Sequence, residues 1–107
     1  MSNRYSLKIS FQAERDLDDI FMYIAHDLSN ASAAAGIIDK IVSALNSLKD
    51  MPKRCPLSDI SELRKDGYRK LVVEKYIALY TIEEKQKTVK VVKVFYGMRD
   101  YRNIGLF

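Results

Sequence analysis

Apolar positions along this chain keep two different periods. In R-Y-S-L-K-I, Tyr5, Leu7 and Ile9 alternate with polar residues, the spacing of a half-buried strand. From Ser10, whose hydroxyl suits an N-cap, the apolar residues Ala13, Leu17, Ile20, Phe21, Ile24 and Leu28 fall on one helical stripe. Glu14, Asp16, Asp18 and Asp19 lie towards its start, where the helix dipole favours acids. Ser29 and Asn30 end this helix or cap the next. A second stripe, Ala34, Ile38, Ile41, Leu45 and Leu48, runs to Met51, and Pro52 then forbids helical continuation. The two periodic runs predict a helical hairpin.

The stretch from Pro52 to Gly67 holds both prolines and no sustained period, so it reads as a connection with at most a short helical turn. Strand-like runs follow at Tyr68 to Val73, Tyr76 to Glu83 and Thr88 to Tyr96, the last two separated by the polar turn E-E-K-Q-K. The order β-α-α-β-β-β predicts an α+β fold, a single domain over residues 1–107, with the hairpin covering one face of a mainly antiparallel sheet. Strict alternation puts Val89, Val91 and Phe95 on one face, with Lys93 as an exception, and Lys90, Val92, Val94 and Tyr96 on the other. Tyr76, Ala78, Tyr80 and Ile82 share a face of the preceding strand. A face of tyrosines and lysines beside Arg69 and Lys70 would form a concave binding surface.

Composition narrows the chemistry. A single cysteine, Cys55, and a single histidine, His26, leave no intramolecular disulfide and no Cys/His metal cluster. His26 reads as a surface residue near a helix end, and Cys55 as a partly buried thiol. The N-terminus lacks the apolar core of a signal peptide and no stretch is long enough to span a bilayer, so a cytoplasmic protein is expected. There is no Gly-rich phosphate loop, metalloprotease helix or nucleophile elbow, and no cofactor is expected. The net charge is +4. Residues 1 to 40 carry six acidic and four basic side chains, while residues 41 to 107 carry eight and fourteen. That surplus in the second half favours a nucleic acid or an acidic protein as partner.

The candidate residues lie in that basic half: Arg69, Lys70, Tyr76, Tyr80, Tyr96, Arg99, Tyr101 and Arg102. Arg69, Lys70, Tyr80, Arg99 and Arg102 form a possible metal-independent ribonuclease set, in which one group deprotonates the 2′-hydroxyl, another protonates the leaving oxygen and an arginine stabilises the phosphorane. Such work requires tyrosine and lysine pKa values well below about 10. Arg69, Tyr76, Tyr80, Tyr96, Arg99 and Tyr101 form an alternative binding set, and any of the tyrosines can instead pack as core. In F-Y-G-M-R-D, Gly97 allows a turn at the sheet edge that aims Arg99 towards this surface, with Asp100 orienting a nearby cation.

The run A-E-R-D-L-D-D-I-F-M-Y-I, the stripe ending at Leu48 and Pro52, and then G-Y-R-K-L, Y-I-A-L-Y and V-F-Y-G-M-R-D resemble the RelE/ParE toxins in order and spacing over nearly the whole chain. The long hairpin and the Y-G-M-R-D ending are more similar to the ParE branch. The resemblance implies the toxin of a type II toxin–antitoxin pair that poisons DNA gyrase, or, in the RelE manner, cleaves mRNA on the ribosome. It also implies an antitoxin, here expected to be acidic, and contact with operator DNA only through that antitoxin. A non-toxic member retaining only this last role is a third reading. Ile77 stands where ribonuclease members carry arginine, Tyr96 where many carry histidine, and Cys55 where a glycine is frequent. The first two departures remove a phosphate-stabilising cation and the most convenient acid–base group.

Overall fold

A computed structural model describes residues 4–103. Its elements are β1 (Ser6–Ile9), α1 (Phe11–Met22), α2 (Ala31–Ser47), α3 (Ser61–Lys65), β2 (Arg69–Val73), β3 (Tyr76–Glu83), β4 (Thr88–Tyr96) and α4 (Gly97–Arg102), with one π-helical turn, Tyr23–Asp27, between α1 and α2. The sheet order is β1-β4-β3-β2. β1 lies parallel to β4, and the other two pairings are antiparallel. A parallel pair needs a long crossover, and here β1 and β4 are separated by α1, α2, α3, β2 and β3.

Both expected caps form. Ser10 Oγ accepts the Ala13 amide at 3.0 Å and Asn30 Oδ1 accepts the Ala33 amide at 3.0 Å, each meeting a donor that the first helical turn leaves open. The first stripe holds through Ile24, which is buried, but Leu28 is 57% exposed, not inward as expected. The π turn explains this: its wider i→i+5 turn shifts the helical phase, so a residue four positions on no longer faces the core.

The hairpin face of the sheet carries the larger core, in which Ala13, Ile41, Leu45 and Leu48 pack against Leu71, Ala78, Tyr80, Val89, Val91 and Val94. Each large aliphatic side chain buried there contributes roughly 1.5–3 kcal/mol. The opposite face is not an open binding surface. Leu63 of α3 and Tyr101 of α4 cover Ile77, Leu79 and Phe95 with a second, smaller core.

Strict alternation along β4 fails at one residue. Tyr80 faces Val91 and Leu79 faces Lys93, so Val92 has no opposite partner and forms a bulge. One extra residue inverts everything beyond it. Val94 therefore joins Val89 and Val91 on the hairpin side, while Phe95 points to the second core. The expected grouping of Val89, Val91 and Phe95 is thus corrected, and the anomaly at Lys93 disappears.

Candidate functional site

Side-chain direction along β2 and β3 decides where the candidate residues meet. Arg69 pairs with Tyr80 and Lys70 with Leu79, so the two neighbouring cations project to opposite faces. They cannot jointly grip one phosphate.

On the hairpin side Tyr80 is completely buried, and its hydroxyl donates to the Pro52 carbonyl at 2.7 Å. Burial pushes its phenol well above the usual tyrosine range, with the neighbouring Cys55 adding to the rise and Arg69 opposing it. Arg69 is partly buried beside it and donates from Nη1 to the Cys55 carbonyl at 2.6 Å. These contacts fasten the connection after α2 onto the sheet. The expected placement of Tyr80 on an accessible tyrosine face is corrected: it is a core residue.

On the opposite side Lys70 and Arg102 do come together, around a residue that sequence reasoning missed. Asp59 Oδ1 accepts the Tyr101 hydroxyl at 3.2 Å and lies 3.4 Å from Lys70 Nζ, while its Oδ2 is 2.8 Å from Arg102 Nη2. Ser58 hydrogen-bonds to the Tyr101 hydroxyl, and both residues are fully buried. Partial burial acts to raise the Asp59 pKa, but its own backbone amide, Lys70, Tyr101 and Arg102 together hold it below the ordinary value. Tyr101 shifts the other way, raised first by burial, against the Ser58 hydrogen bond, and further by Asp59. Its ring meets Phe95 edge-on at 5.7 Å and lies beneath Lys70 Nζ, 5.5 Å from the centroid. Tyr101, expected at a binding surface, is therefore also a core residue. Nothing in the sequence around Asp59 marked it, because its partners lie more than ten residues away.

An accessible groove lies elsewhere. Beyond Val91, β1 has ended, and α1 takes over beside the freed edge of β4. Ser10 donates from its backbone amide to the Val91 carbonyl at 2.8 Å and from its hydroxyl to the Val92 carbonyl at 2.9 Å. Asp16 accepts the Val94 amide at 2.9 Å and Gln12 Nε2 at 2.8 Å, and it pairs with Lys93 at 3.3 Å. Asp16 was readable as a surface acid favoured by the dipole, yet it is buried. Its spacing, three after Ala13 and four before Ile20, does put it on the apolar stripe.

Between α1, this edge and α4 runs an open groove of about 780 Å³, lined by Asp19, Ile20, Val92, Phe95, Tyr96 and Asp100 among others. It continues at Tyr96 into a smaller hollow of about 360 Å³ bounded by Tyr23 and Tyr76. Tyr76 is largely buried, raised in pKa chiefly by that burial, and its ring contacts that of Tyr96 edge-on at 5.4 Å. Tyr96 is 53% exposed, with Met22, Tyr23, Val72 and Met98 also exposed at this end of the sheet. Of the proposed binding set, Tyr76 and Tyr96 meet here; Arg69, Tyr80 and Tyr101 do not. Arg99 belongs to α4, but its side chain lies outside the described residues.

The chain's comparisons with known proteins fit this architecture. Its fold is similar to that of a chain from a chromosomal ParDE toxin–antitoxin system of P. aeruginosa, with a TM-score of 0.73 at 21% identity over 90% of this chain and 99% of that one. It is also similar to a chain of the toxin–antitoxin complex RelBE2 from Mycobacterium tuberculosis, with a TM-score of 0.65 at 22% identity over 87% of this chain and 91% of that one. No curated protein matches by sequence. The sequence profile of the "ParE toxin of type II toxin-antitoxin system, parDE" matches residues 7–101, and with almost every described element inside that span, the chain belongs to the ParE toxin family.

Proposed function

We propose that this chain is the growth-inhibiting toxin of a type II toxin–antitoxin pair, that it acts on DNA gyrase through protein contacts, and that a cognate antitoxin silences it by filling the groove between α1 and β4. The observation that carries the protein-directed mode is the division of the four described candidate ribonuclease residues, Arg69, Lys70, Tyr80 and Arg102, between two faces. Cleavage of RNA needs a base, an acid and a phosphorane-stabilising cation around a single phosphate. Here Arg69 and Tyr80 sit under the hairpin, Lys70 and Arg102 sit across the sheet on Asp59, and both Tyr80 and Tyr101 have phenols shifted in the direction opposite to a general base.

The antitoxin reading is supported by family membership and by two structural neighbours that come from toxin–antitoxin systems. The groove supplies what a partner segment needs: apolar anchors at Ile20, Val92, Phe95 and Tyr96. The net charge of +4 favours an acidic antitoxin overall. Asp19 and Asp100 on the groove wall favour a basic residue beside its apolar anchors.

Purified protein added to gyrase with supercoiled plasmid, and in parallel to programmed ribosomes, tests this reading. Gyrase-dependent DNA breaks with intact mRNA are expected, relieved by the product of the neighbouring gene. Cleaved mRNA with unaffected gyrase would establish the ribonuclease reading instead. Neither effect, together with operator DNA bound only in the presence of the antitoxin, would establish the non-toxic one.

A further inference from the structure

The Asp59 cluster has the build of an anion site in which the protein supplies the anion. Three donors from two separate elements converge on one carboxylate: Lys70 from β2, and Tyr101 and Arg102 from α4. Tyr101 is fixed there by complete burial and by Ser58, which is itself completely buried. Lys70 is largely covered, with its side chain 17% exposed. The carboxylate that they hold is not covered: the Asp59 side chain is 40% exposed and lies on the loop before α3. The Arg102 side chain is itself 57% exposed, so an anion arriving from solvent would meet the guanidinium and the Asp59 carboxylate together.

We propose that Lys70, Tyr101 and Arg102 form a phosphoryl-binding site, and that Asp59 occupies and closes it. The two oxygens of a phosphoryl group can take the donors that Asp59 takes now, one from Tyr101 and Lys70 and the other from Arg102. With Asp59 ionised the cluster carries one net positive charge instead of two, and Lys70, Tyr101 and Arg102 each have a donor turned to its carboxylate. Phosphodiester backbones and free phosphates are therefore refused. The inference rests on the protein-directed reading for its meaning: Asp59 would be the residue that keeps a basic toxin from binding the RNA around it. It names a specificity-determining position outside the groove.

The test compares the wild type with Asp59→Asn, Asp59→Ala and, as a control of equal charge, Asp39→Asn, whose site lies on α2. A short single-stranded RNA followed by fluorescence anisotropy and inorganic pyrophosphate followed by calorimetry are the two probes, with folding checked by circular dichroism. The expected result is a gain in affinity of about ten-fold or more for either Asp59 variant, as charge-assisted donors are released. No such gain is expected for Asp39→Asn, and the gain should vanish in Asp59→Asn combined with Lys70→Gln or Arg102→Gln. A gain for both probes identifies a site open to nucleic-acid backbone; a gain for pyrophosphate alone identifies one restricted to free phosphates. Equal affinities in wild type and in whichever Asp59 variant folds, a matching gain in Asp39→Asn, or a gain that survives both double substitutions would overturn the proposal. That failure would leave the gyrase assay untouched, whereas mRNA cleavage by the wild type would overturn the protein-directed reading whatever the Asp59 variants bind.

Discussion

Two aspartates hold this molecule together, by different physical means. Asp16 is buried and accepts the Val94 amide at the point where β4 loses its neighbour. Replacing it by alanine strands that amide and the Lys93 ammonium against the helix, which is expected to cost about 2 kcal/mol or more in urea unfolding. Asp59 is semi-exposed, and its effect is expected in the pH profile. Its pKa is lowered in the folded state, so its contribution is present above the ordinary carboxylate range, near about 4, and is lost as the pH falls through the lower folded value. The stability difference between wild type and Asp59→Asn, measured by urea unfolding from pH 7 down to acid, should therefore shrink as the pH falls and level off at the acid end.

At the scale of elements, β4 is the strand on which the fold turns. It is the longest strand, it has β1 on one side and β3 on the other, and its bulge at Val92 lets Val91 and Val94 face the hairpin while Phe95 faces α4. The strand ends at Gly97, which has φ +83°, a left-handed conformation that disfavours any side chain. Gly97→Ala has space for its methyl group, 3.8 Å from the Lys75 carbonyl, so its expected penalty of about 1–2 kcal/mol is conformational. Thermal unfolding checks the size. The caps, helical stripes and the spans of β3 and β4 were legible in the sequence because each follows from local periodicity or from one side chain meeting a nearby amide. The bulge and the π turn were not, since each inserts a single residue whose cost is recovered only through distant packing partners.

Across the whole molecule, one sheet face is sealed by the hairpin and the other by α3 and α4, and a group of exposed apolar residues, Met22, Tyr23, Val72, Tyr96 and Met98, is left at the C-terminal end of β4. Tyr96→Ala removes an exposed ring from that surface, and loss of its contact with Tyr76 should cost no more than about 1.5 kcal/mol in stability. Its effect on antitoxin affinity should be larger, about ten-fold, measured by calorimetry with the purified partner, because an exposed aromatic in a groove is the residue type that anchors interfaces. The reverse pattern, a large stability loss with unchanged affinity, would place the antitoxin elsewhere.

The sequence alone determined the helical hairpin, the order of elements along the chain and the α+β class, because hydrophobic period, caps and turns are properties of neighbouring residues; the toxin family was legible as a resemblance of motifs in order and spacing. The tertiary structure decided which candidate residues share a place. Arg69 and Lys70 are adjacent in the chain and separated by the sheet; Tyr80 and Tyr101 read as candidate ligands and are core; Asp16 read as an acid placed for the helix dipole and Asp59 was not singled out, yet both are structural partners. The reason is common to all of them: a side chain's chemistry is set by the charges and solvent around it, and folding brings those from parts of the chain that local pattern does not connect.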